Sequence, residues 1–524
     1  MKKNSLTKLA LLLTVMTVAL SGCSGDKSKS DSSPSPNVED NMSQGKPTNG
    51  GSIVVGIQQD LDSLDPGKAI AAGTKEVLFN IFEGLVKPDE KGNLVPAVAS
   101  KYEVSKDGKT YTFTLRDGVK FHNGNVVTAE DVVYSIKRSA GLLDKTDKSV
   151  YVDSALQNIS KVEKTDDKTI VVSLKSADTE LIGYMTLAII PKDYDKQDSA
   201  PVGTGPFKFV SYKPLESFVV EKNDDYWNQD GKAYLDKVTF KIVANTDSAF
   251  TELTAGSIDI YPYLTDDQAT QLKNQFNVEV GNMNLVQGLF LNNDKEPFNN
   301  EDVRKALNYA IDKQAILDMV AGGRGNILGS NMYSGYKKYF DSSLVNMYQT
   351  DAAKAKEYLT KAGYPNGFTF TITVPSNYQY HVDTAQVIVE QLKSVGITAK
   401  IQKVEWNTWL SDVYQKRNYQ ATIVGLDGKL SARSLLERYS SKATNNFVNY
   451  KNEEYDKVLD TAINTVDDKE KVASYKTLQK LLAEDAASVY IQDPPLLVAV
   501  NKKLGGYTFY PVYVQDMAKV YLKK

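Results

Sequence analysis

The sequence predicts an α/β protein of more than one domain, and three observations carry that reading. Between residues 368 and 424, stretches of strand periodicity alternate with stretches of helical periodicity, the mark of βαβ units. Elsewhere, period-two runs such as Tyr111-Thr112-Phe113-Thr114-Leu115 stand beside amphipathic stretches such as 299–317. The chain of 524 residues is also long enough for two or three substantial cores.

The N-terminus reads as an export signal. Lys2, Lys3 and Lys8 surround the start of an apolar run, 9–20, that suits a signal-peptide core and is too short for a permanent span of about 20 residues. Leu20-Ser21-Gly22-Cys23 follows, with the only cysteine of the chain, and resembles a bacterial lipobox. That resemblance implies that residues 1–22 are removed and that Cys23 carries a diacylglyceryl group and palmitate-type acylation. Two acyl chains hold a protein stably on a membrane where one does not. Residues 24–50 are rich in serine, lysine, aspartate, asparagine and proline, with almost nothing to bury, and read as a disordered tether.

Residues 52–57 form the first apolar strand, followed by the turn-rich Asp60-Leu61-Asp62-Ser63-Leu64-Asp65-Pro66. Val77, Leu78, Ile81, Phe82 and Leu85 have helical spacing, which predicts a helix over 77–85. In 111–115 the rings and Leu115 share one strand face, bracketed by turns at Asp107-Gly108 and Asp117-Gly118. Thr128-Ala129-Glu130-Asp131 is a capping-box pattern, opening a helix whose buried stripe is Val132, Val133 and Ile136. Val303, Ala306, Leu307, Ala310 and Ile311 lie on one face of a helix over 299–317. A further helix starts near Asp351 and stops at Gly363, with Pro365 just beyond.

Next come a strand at 368–374, a helix at 382–395 ending at Gly396, and a strand at 397–404. A second crossover through 406–415 leads into a strand at 420–424 and the loop Gly425-Leu426-Asp427-Gly428-Lys429. If these strands are parallel, their carboxyl ends share one edge, where open α/β folds bind ligands. That edge holds Asn377, Tyr378 and Tyr380, then Glu405, Trp406 and Trp409, then Asp427 and Lys429. Trp406 and Trp409 are three apart on a predicted helix, which fits at least one of them to the core, and each is equally a candidate to line a pocket. The aromatic stretches Asp225-Tyr226-Trp227 and Tyr261-Pro262-Tyr263 lie outside this unit and fit core or surface equally.

Composition excludes several classes. Lys and Arg number 62 against 65 Asp and Glu, with no basic block suited to tracking phosphates, so no nucleic-acid partner is expected. The single cysteine leaves none for an intramolecular disulfide or a thiolate cluster. His122 and His381 are too few and too far apart for a histidine metal site or triad, and no G-x-S-x-G, H-E-x-x-H or P-loop occurs. No catalytic residue, metal site or cofactor is expected, although abundant carboxylates leave an exported hydrolase as the enzymatic alternative.

Several motifs in order carry a resemblance to a known family. They are Phe82-Glu83-Gly84-Leu85, VPAVASKYEVSKDGKTYTFTLRDGVKFHNG from Val95, TAEDVVYSIKR from Thr128, Gly203-Thr204-Gly205-Pro206-Phe207, the run Asn223 to Trp227, LTAGSID from Leu253, and Pro297-Phe298 leading into VRKALNYAID. Together they resemble the bacterial extracellular solute-binding proteins of family 5, the oligopeptide- and dipeptide-binding proteins of ABC importers. The resemblance implies a bilobal, periplasmic-binding-protein type II-like α/β fold with an extra domain, three domains in all. One lobe would comprise 51–86, 201–285 and 494–524, with the extra domain 87–200 packed on it. The other would comprise 286–493, joined through crossings near 285–292 and 492–496. Hinge closure would enclose the solute and present it to a permease.

In peptide-binding members the loop after the third strand reads glycine, tryptophan, two variable residues, then an aspartate that pairs with the ligand's α-ammonium. Here the tryptophan position is Leu426 and the aspartate position is Lys429. An ammonium beside an ammonium is costly when desolvated. Either Asp427 takes the anchoring role, or the ligand offers Lys429 an anionic or neutral group, or Lys429 faces solvent. The candidate ligand-binding set is therefore Thr74, Asn377, Tyr378, Tyr380, Trp406, Trp409, Gly425, Leu426, Asp427 and Lys429. The expected protein is a monomeric, lipid-anchored receptor on the extracytoplasmic face of the cell membrane, handing a short peptide to the transmembrane subunits of an ABC permease. An opine-like conjugate, oligosaccharide or chelated metal is the alternative cargo, and a peptide-sensing surface receptor the alternative role.

Overall fold

Two large sheets organise the chain. The computed structural model describes residues 45–143, 150 and 152–524; the expected export signal, Cys23 and the expected tether up to residue 44 lie outside them. The first sheet runs Phe276–Asn282, Pro495–Asn501, Ile260–Tyr261, Ser52–Ile57, Lys237–Ile242, Ser217–Lys222, Phe207–Lys213 from edge to edge. Ser52–Ile57 is parallel to both its neighbours. Because successive side chains point to opposite faces, Leu496, Val498 and Val500 join Ile53, Val55 and Ile57 in one core, while Leu497 and Ala499 join Tyr261 in another.

The second sheet runs Asn326–Ile327, Ser488–Asp493, Leu285–Leu291, Ala421–Asp427, Thr369–Pro375, Thr398–Val404. Its last three strands are parallel, as the βαβ reading requires, and helix Gln379–Lys393 makes the first crossover. Here too the period of two splits the residues: Val286, Phe290, Val424 and Leu426 face one core, and Leu289, Leu291, Ala421 and Ile423 the other. A four-stranded antiparallel sheet, Ala99–Val104, Thr110–Leu115, Thr169–Leu174, Ile159–Lys164, has its own core around Tyr111 and Phe113. Helix Ala129–Ser139 packs into that core. Its Thr128 hydroxyl accepts from Asp131 N at 3.3 Å and Thr128 N donates to Asp131 Oδ2 at 2.9 Å, closing the capping box. Val132 and Ile136 are fully buried, whereas Val133 is only half-buried.

Four expectations change. Pro47–Thr48, read as the end of the tether, pairs with Tyr521–Lys523, and Thr48 Oγ1 donates to Leu522 O at 2.6 Å. Strand pairing uses backbone groups, which a composition poor in apolar residues does not forbid. The helix expected over 77–85 spans Ala72–Leu78, because Asn80 Nδ2 binds Val77 O and Gln515 O and turns the chain away. Ile81, Phe82 and Leu85 are still buried. The helix expected over 299–317 is two, Glu301–Ala310 and Lys313–Ala321, since the Asp312 side chain accepts from Ala315 N at 2.9 Å and caps a new start. Strand Ala421–Asp427 continues three residues past the expected 424, so Gly425, Leu426 and Asp427 belong to the sheet.

The distant motifs meet at one buried carboxylate. Glu83 accepts from Tyr226 Oη (2.6 Å), Trp227 Nε1 (2.7 Å), Lys87 Nζ (2.9 Å) and Thr204 Oγ1 (3.2 Å). Beside it, Gly203 and Gly205 pass so close to the turn at Asn80 and Ile81 that a Cβ would sit 2.2 Å from Ile81 O and 2.7 Å from Asn80 O respectively. These motifs hold the first sheet to the extra domain, so they are structural.

The chain passes between the two large sheets twice, side by side. Phe276–Asn282 leads through Met283 and Asn284 into Leu285–Leu291, and Ser488–Asp493 leads through Pro494 into Pro495–Asn501. Met283 N donates to Pro494 O at 2.9 Å and Leu285 N to Asp493 Oδ1 at 3.2 Å. Burial pushes the Asp493 carboxyl up to about 8, against the opposing pull of the Leu285 and Asn284 N–H groups. Its folded pKa is thus raised above the ordinary 3.8. The contribution of Asp493 is therefore fully present below about pH 4 and is lost as pH rises towards 8, by on the order of 1 kcal/mol per pH unit at most. Asp493→Asn should remove this dependence, so the stability of the variant relative to the wild type should climb between pH 4 and 8 in denaturant unfolding. A pH-independent difference would show that Asp493 does not retain its proton.

Candidate ligand-binding site

The carboxyl ends of the three parallel strands face the first sheet across a cleft. Tyr378 Oη donates to Gln59 Oε1 across it. Two small cavities lie along the seam. One, of about 60 Å³, is walled by Gln58, Ala72, Tyr263 and Tyr513 on one side and Tyr378, Tyr380, His381, Trp406 and Gly425 on the other. The second, of about 100 Å³, lies between Ile70, Ala72, Lys75 and Asp153 and the opposite wall of Trp406, Trp409, Tyr414, Leu426, Asp427, Lys429 and Arg438. A third, of about 760 Å³, opens beyond Lys75, Asp153, Asp427 and Lys429.

The two tryptophans divide as the spacing allows. Their rings stack at 5.2 Å, 13° from parallel. Trp409 is buried in the core, with Nε1 donating to Thr422 Oγ1 at 2.9 Å. Trp406 borders both small cavities, and its Nε1 has no hydrogen-bond partner among the described residues. Tyr378 meets Trp406 edge-on at 5.4 Å. The helical crossover carrying both tryptophans is one turn, Trp406–Thr408, followed by a π-helix, Trp409–Gln415. Gly425 lets its strand pack closely on Leu285, since a Cβ there would lie 2.9 Å from Leu285 Cδ1.

Asp427 and Lys429 have different surroundings. Asp427 ends its strand, and its carboxylate makes no hydrogen bond or ion pair among the described residues. Lys429 instead forms an ion pair with Asp153 of the extra domain, with Nζ 4.6 Å from the Tyr184 ring centroid. Its backbone is fixed on both sides: Lys429 N donates to Ser434 Oγ at 2.8 Å, and Lys429 O accepts from Tyr336 Oη. Burial works to raise the Asp153 carboxyl, but the Lys429 ammonium outweighs it and holds the group below the usual range. Lys75 reaches the same cavity wall from helix Ala72–Leu78. Enclosure by protein lowers its pKa, and the Asp427 charge is the strongest pull the other way.

The remaining candidates scatter. Thr74 is fully buried and accepts from Asp62 N at 3.1 Å, so it shapes the turn before the helix. Asn377 is buried at the cleft edge. His381 pairs with Gln287 Nε2 at 2.9 Å and is pushed down to about 3 by burial. His122 binds Gly205 O and Gly203 N and is likewise pushed down to about 4. Both are neutral structural residues.

Sequence reasoning missed Lys75, Glu76, Asp153 and Tyr513, and left Tyr263 undecided. Tyr263 has φ +77°, a strained conformation for a tyrosine. It holds the ring against Tyr513, with centroids 6.2 Å apart, and sets Oη 2.8 and 2.9 Å from the two oxygens of Glu76. Burial raises Glu76 to about 7, partly offset by bonds from Tyr263 and Gln515. The only sequence signal was the aromatic pair Tyr261 and Tyr263.

Two lobes, a cleft at the carboxyl ends of parallel strands, and a wall of aromatic and balanced charged groups define a solute-binding protein. The chain belongs to the bacterial extracellular solute-binding proteins of family 5, whose middle-region model matches residues 93–447. It is 29% identical over 549 residues to the oligopeptide-binding protein AppA of Bacillus subtilis (strain 168), covering 97% of each chain. The structure of DppA from Helicobacter pylori in complex with peptide STSA matches with TM-score 0.82 at 29% identity, over 91% of this chain and 99% of that one. AgaA of A. tumefaciens R10 in complex with agropinic acid matches with TM-score 0.80 at 28% identity, over 90% and 99%. The fold is thus the bilobal one of this family, with an extra domain, and the chain is a transport binding protein and not an enzyme. Among the described residues no helix is long and apolar enough to cross a membrane.

Trp409→Ala should cost about 3–5 kcal/mol in denaturant unfolding, as for a buried aromatic. Trp406→Ala should cost less than half of that, because its ring borders cavities. Equal losses would mean that Trp406 is core and not wall.

Proposed function

We propose that the chain captures short peptides in the cleft between its lobes and delivers them to an ABC permease, tethered through diacylglyceryl Cys23 on the extracytoplasmic face of the membrane. In this reading 51–86, 201–285 and 494–524 form the first lobe, 87–200 the extra domain and 286–493 the second lobe, and the protein acts as a monomer. The observation that carries it is the contrast between the two charged residues after the third strand. Lys429 is already neutralised by Asp153, so it does not repel an incoming ammonium, whereas the Asp427 carboxylate faces the cavity unengaged. The peptide cargoes named for AppA and for the DppA complex support the same reading. The agropinic acid bound to AgaA favours a second one, a non-peptide solute held by the same lobes.

Asp427→Asn should weaken peptide binding by roughly 1.5–3 kcal/mol, the range for a hydrogen bond to a charged group. Unchanged affinity in calorimetry would remove Asp427 as the amine anchor. Native mass spectrometry of residues 45–524, followed by denaturing release and fragmentation, should yield a ladder of short peptides. A single non-peptide mass would favour the second reading.

A further inference from the structure

We propose that the ligand of this site carries its ammonium and a carboxylate on one carbon, as in a peptide whose terminal residue is joined through its side chain, with Asp427 holding the ammonium and Lys75 the carboxylate. This rests on the peptide reading above, with Asp427 as the amine anchor, and deepens it.

The 100 Å³ cavity is walled by three cations, Lys75, Lys429 and Arg438, and three carboxylates, Asp153, Asp427 and Glu437. Lys429 is paired with Asp153, and Glu437 accepts from Arg433 Nε at 2.7 Å. Arg438 donates to the main-chain oxygens of Asp427 at 3.1 Å and Ser434 at 3.3 Å. Lys75 and the Asp427 carboxylate come from opposite walls and act on each other. Enclosure disfavours the Lys75 ammonium, and the Asp427 charge is its strongest support. Lys75 also stands in the space itself, since the residue is solvent-exposed although protein surrounds it. Asp62 Oδ2 accepts from Ile70 N at 2.7 Å and Ala71 N at 3.1 Å and so fixes the start of the helix that carries Lys75. Asp427 is fixed in its turn by pairing opposite Leu285 in the sheet.

An ammonium arriving alone would upset this balance. It would draw on the carboxylate that supports Lys75 and add a second positive charge beside it, a like-charge contact that is costly away from bulk water. A carboxylate on the same carbon cancels the added charge and gives Lys75 a charged partner in place of Asp427. The terminal carboxylate of an ordinary dipeptide is poorly placed for this, because an amide separates it from the ammonium by up to about 7 Å. Space permits the head group: about 100 Å³ is several times the roughly 10–15 Å³ that one water needs. The rest of the ligand has the 760 Å³ space beyond, which shares Lys75, Asp153, Asp427 and Lys429 with the smaller cavity.

Calorimetry on the protein freed of co-purifying ligand tests this with three probes: γ-Glu-Ala, α-Glu-Ala and tri-alanine. The first two have the same composition and net charge and differ only in which carboxyl group forms the peptide bond. γ-Glu-Ala should bind about tenfold or more tighter than α-Glu-Ala, the worth of one hydrogen bond between charged groups. Lys75→Met, which keeps the length of the side chain and removes its charge, should bring that ratio towards one, mainly by weakening γ-Glu-Ala. Lys75→Gln takes its place if Lys75→Met does not fold. A wild-type ratio of one or below, or a ratio that the folded Lys75 variant leaves unchanged, would overturn the shared-carbon head group while leaving the peptide reading intact. So would binding of tri-alanine with neither Glu-Ala isomer bound. Full affinity for γ-Glu-Ala in Asp427→Asn would overturn it through the anchor. Binding of none of the three probes overturns the peptide reading, and this inference with it.

Discussion

Two chain crossings bonded to each other set the limits for the rest of this protein. The strands that leave one large sheet enter the other after only one or two residues, and Asp493 and Pro494 on one crossing accept from Leu285 and Met283 on the other. A pair of extended strands tied in this way is stiff along its length and bends most easily across its width. Relative movement of the two sheets is then largely a bend at this ribbon, which shifts groups near it little and groups far from it most. Placing a buried carboxyl there fixes the register of the two crossings with a bond that a one-residue slip would break.

The charges across the cleft are arranged to cancel. Lys429 meets Asp153, and the Asp427 charge acts on Lys75. Deeper in, Arg433 is held by Asp178 and by Glu437 at 2.7 Å, while Tyr184 Oη donates to Glu437 at 2.8 Å. Several of these pairs join the extra domain to the second lobe. Buried pairs of this kind add little net stability over apolar packing, but losing one partner strands the other. They therefore specify how the surfaces meet more than how tightly. A cleft whose fixed charges balance in total draws no ligand by net charge, so discrimination falls to the placement of single groups such as Asp427 and to the aromatic and apolar walls.

Where local signals dominate, the sequence was a good guide. The parallel strands around 368–424 were legible because Gly396 ends the first intervening helix and the apolar period changes between two and 3.6. Asn377, Tyr378, Trp406 and Asp427 could be placed at one edge because three parallel strands must end on the same side. The break at Asp312 was not legible, because Ile311 continues the apolar stripe while Asp312 caps a new helix. Nor was the other wall of the cleft: Lys75 and Glu76 sit in an unremarkable helix, Asp153 in a separate domain, and Tyr513 near the C-terminus. Only the folded chain brings these four together, and no spacing rule links residues separated by hundreds of positions. Thr74 shows the reverse error, a residue near the site in sequence whose hydroxyl serves a turn.

Because the crossings lie side by side, every strand of the second sheet falls between Leu285 and Asp493, and the two ends of that stretch touch. This half of the molecule is an uninterrupted cassette spliced into the other, and segments with adjoining ends are the ones that genes exchange most readily. Recombination could replace the strands that carry Trp406 and Asp427 while leaving the facing lobe, and whatever docks on it, uncut. A lineage could then diversify its cargo one half-cleft at a time.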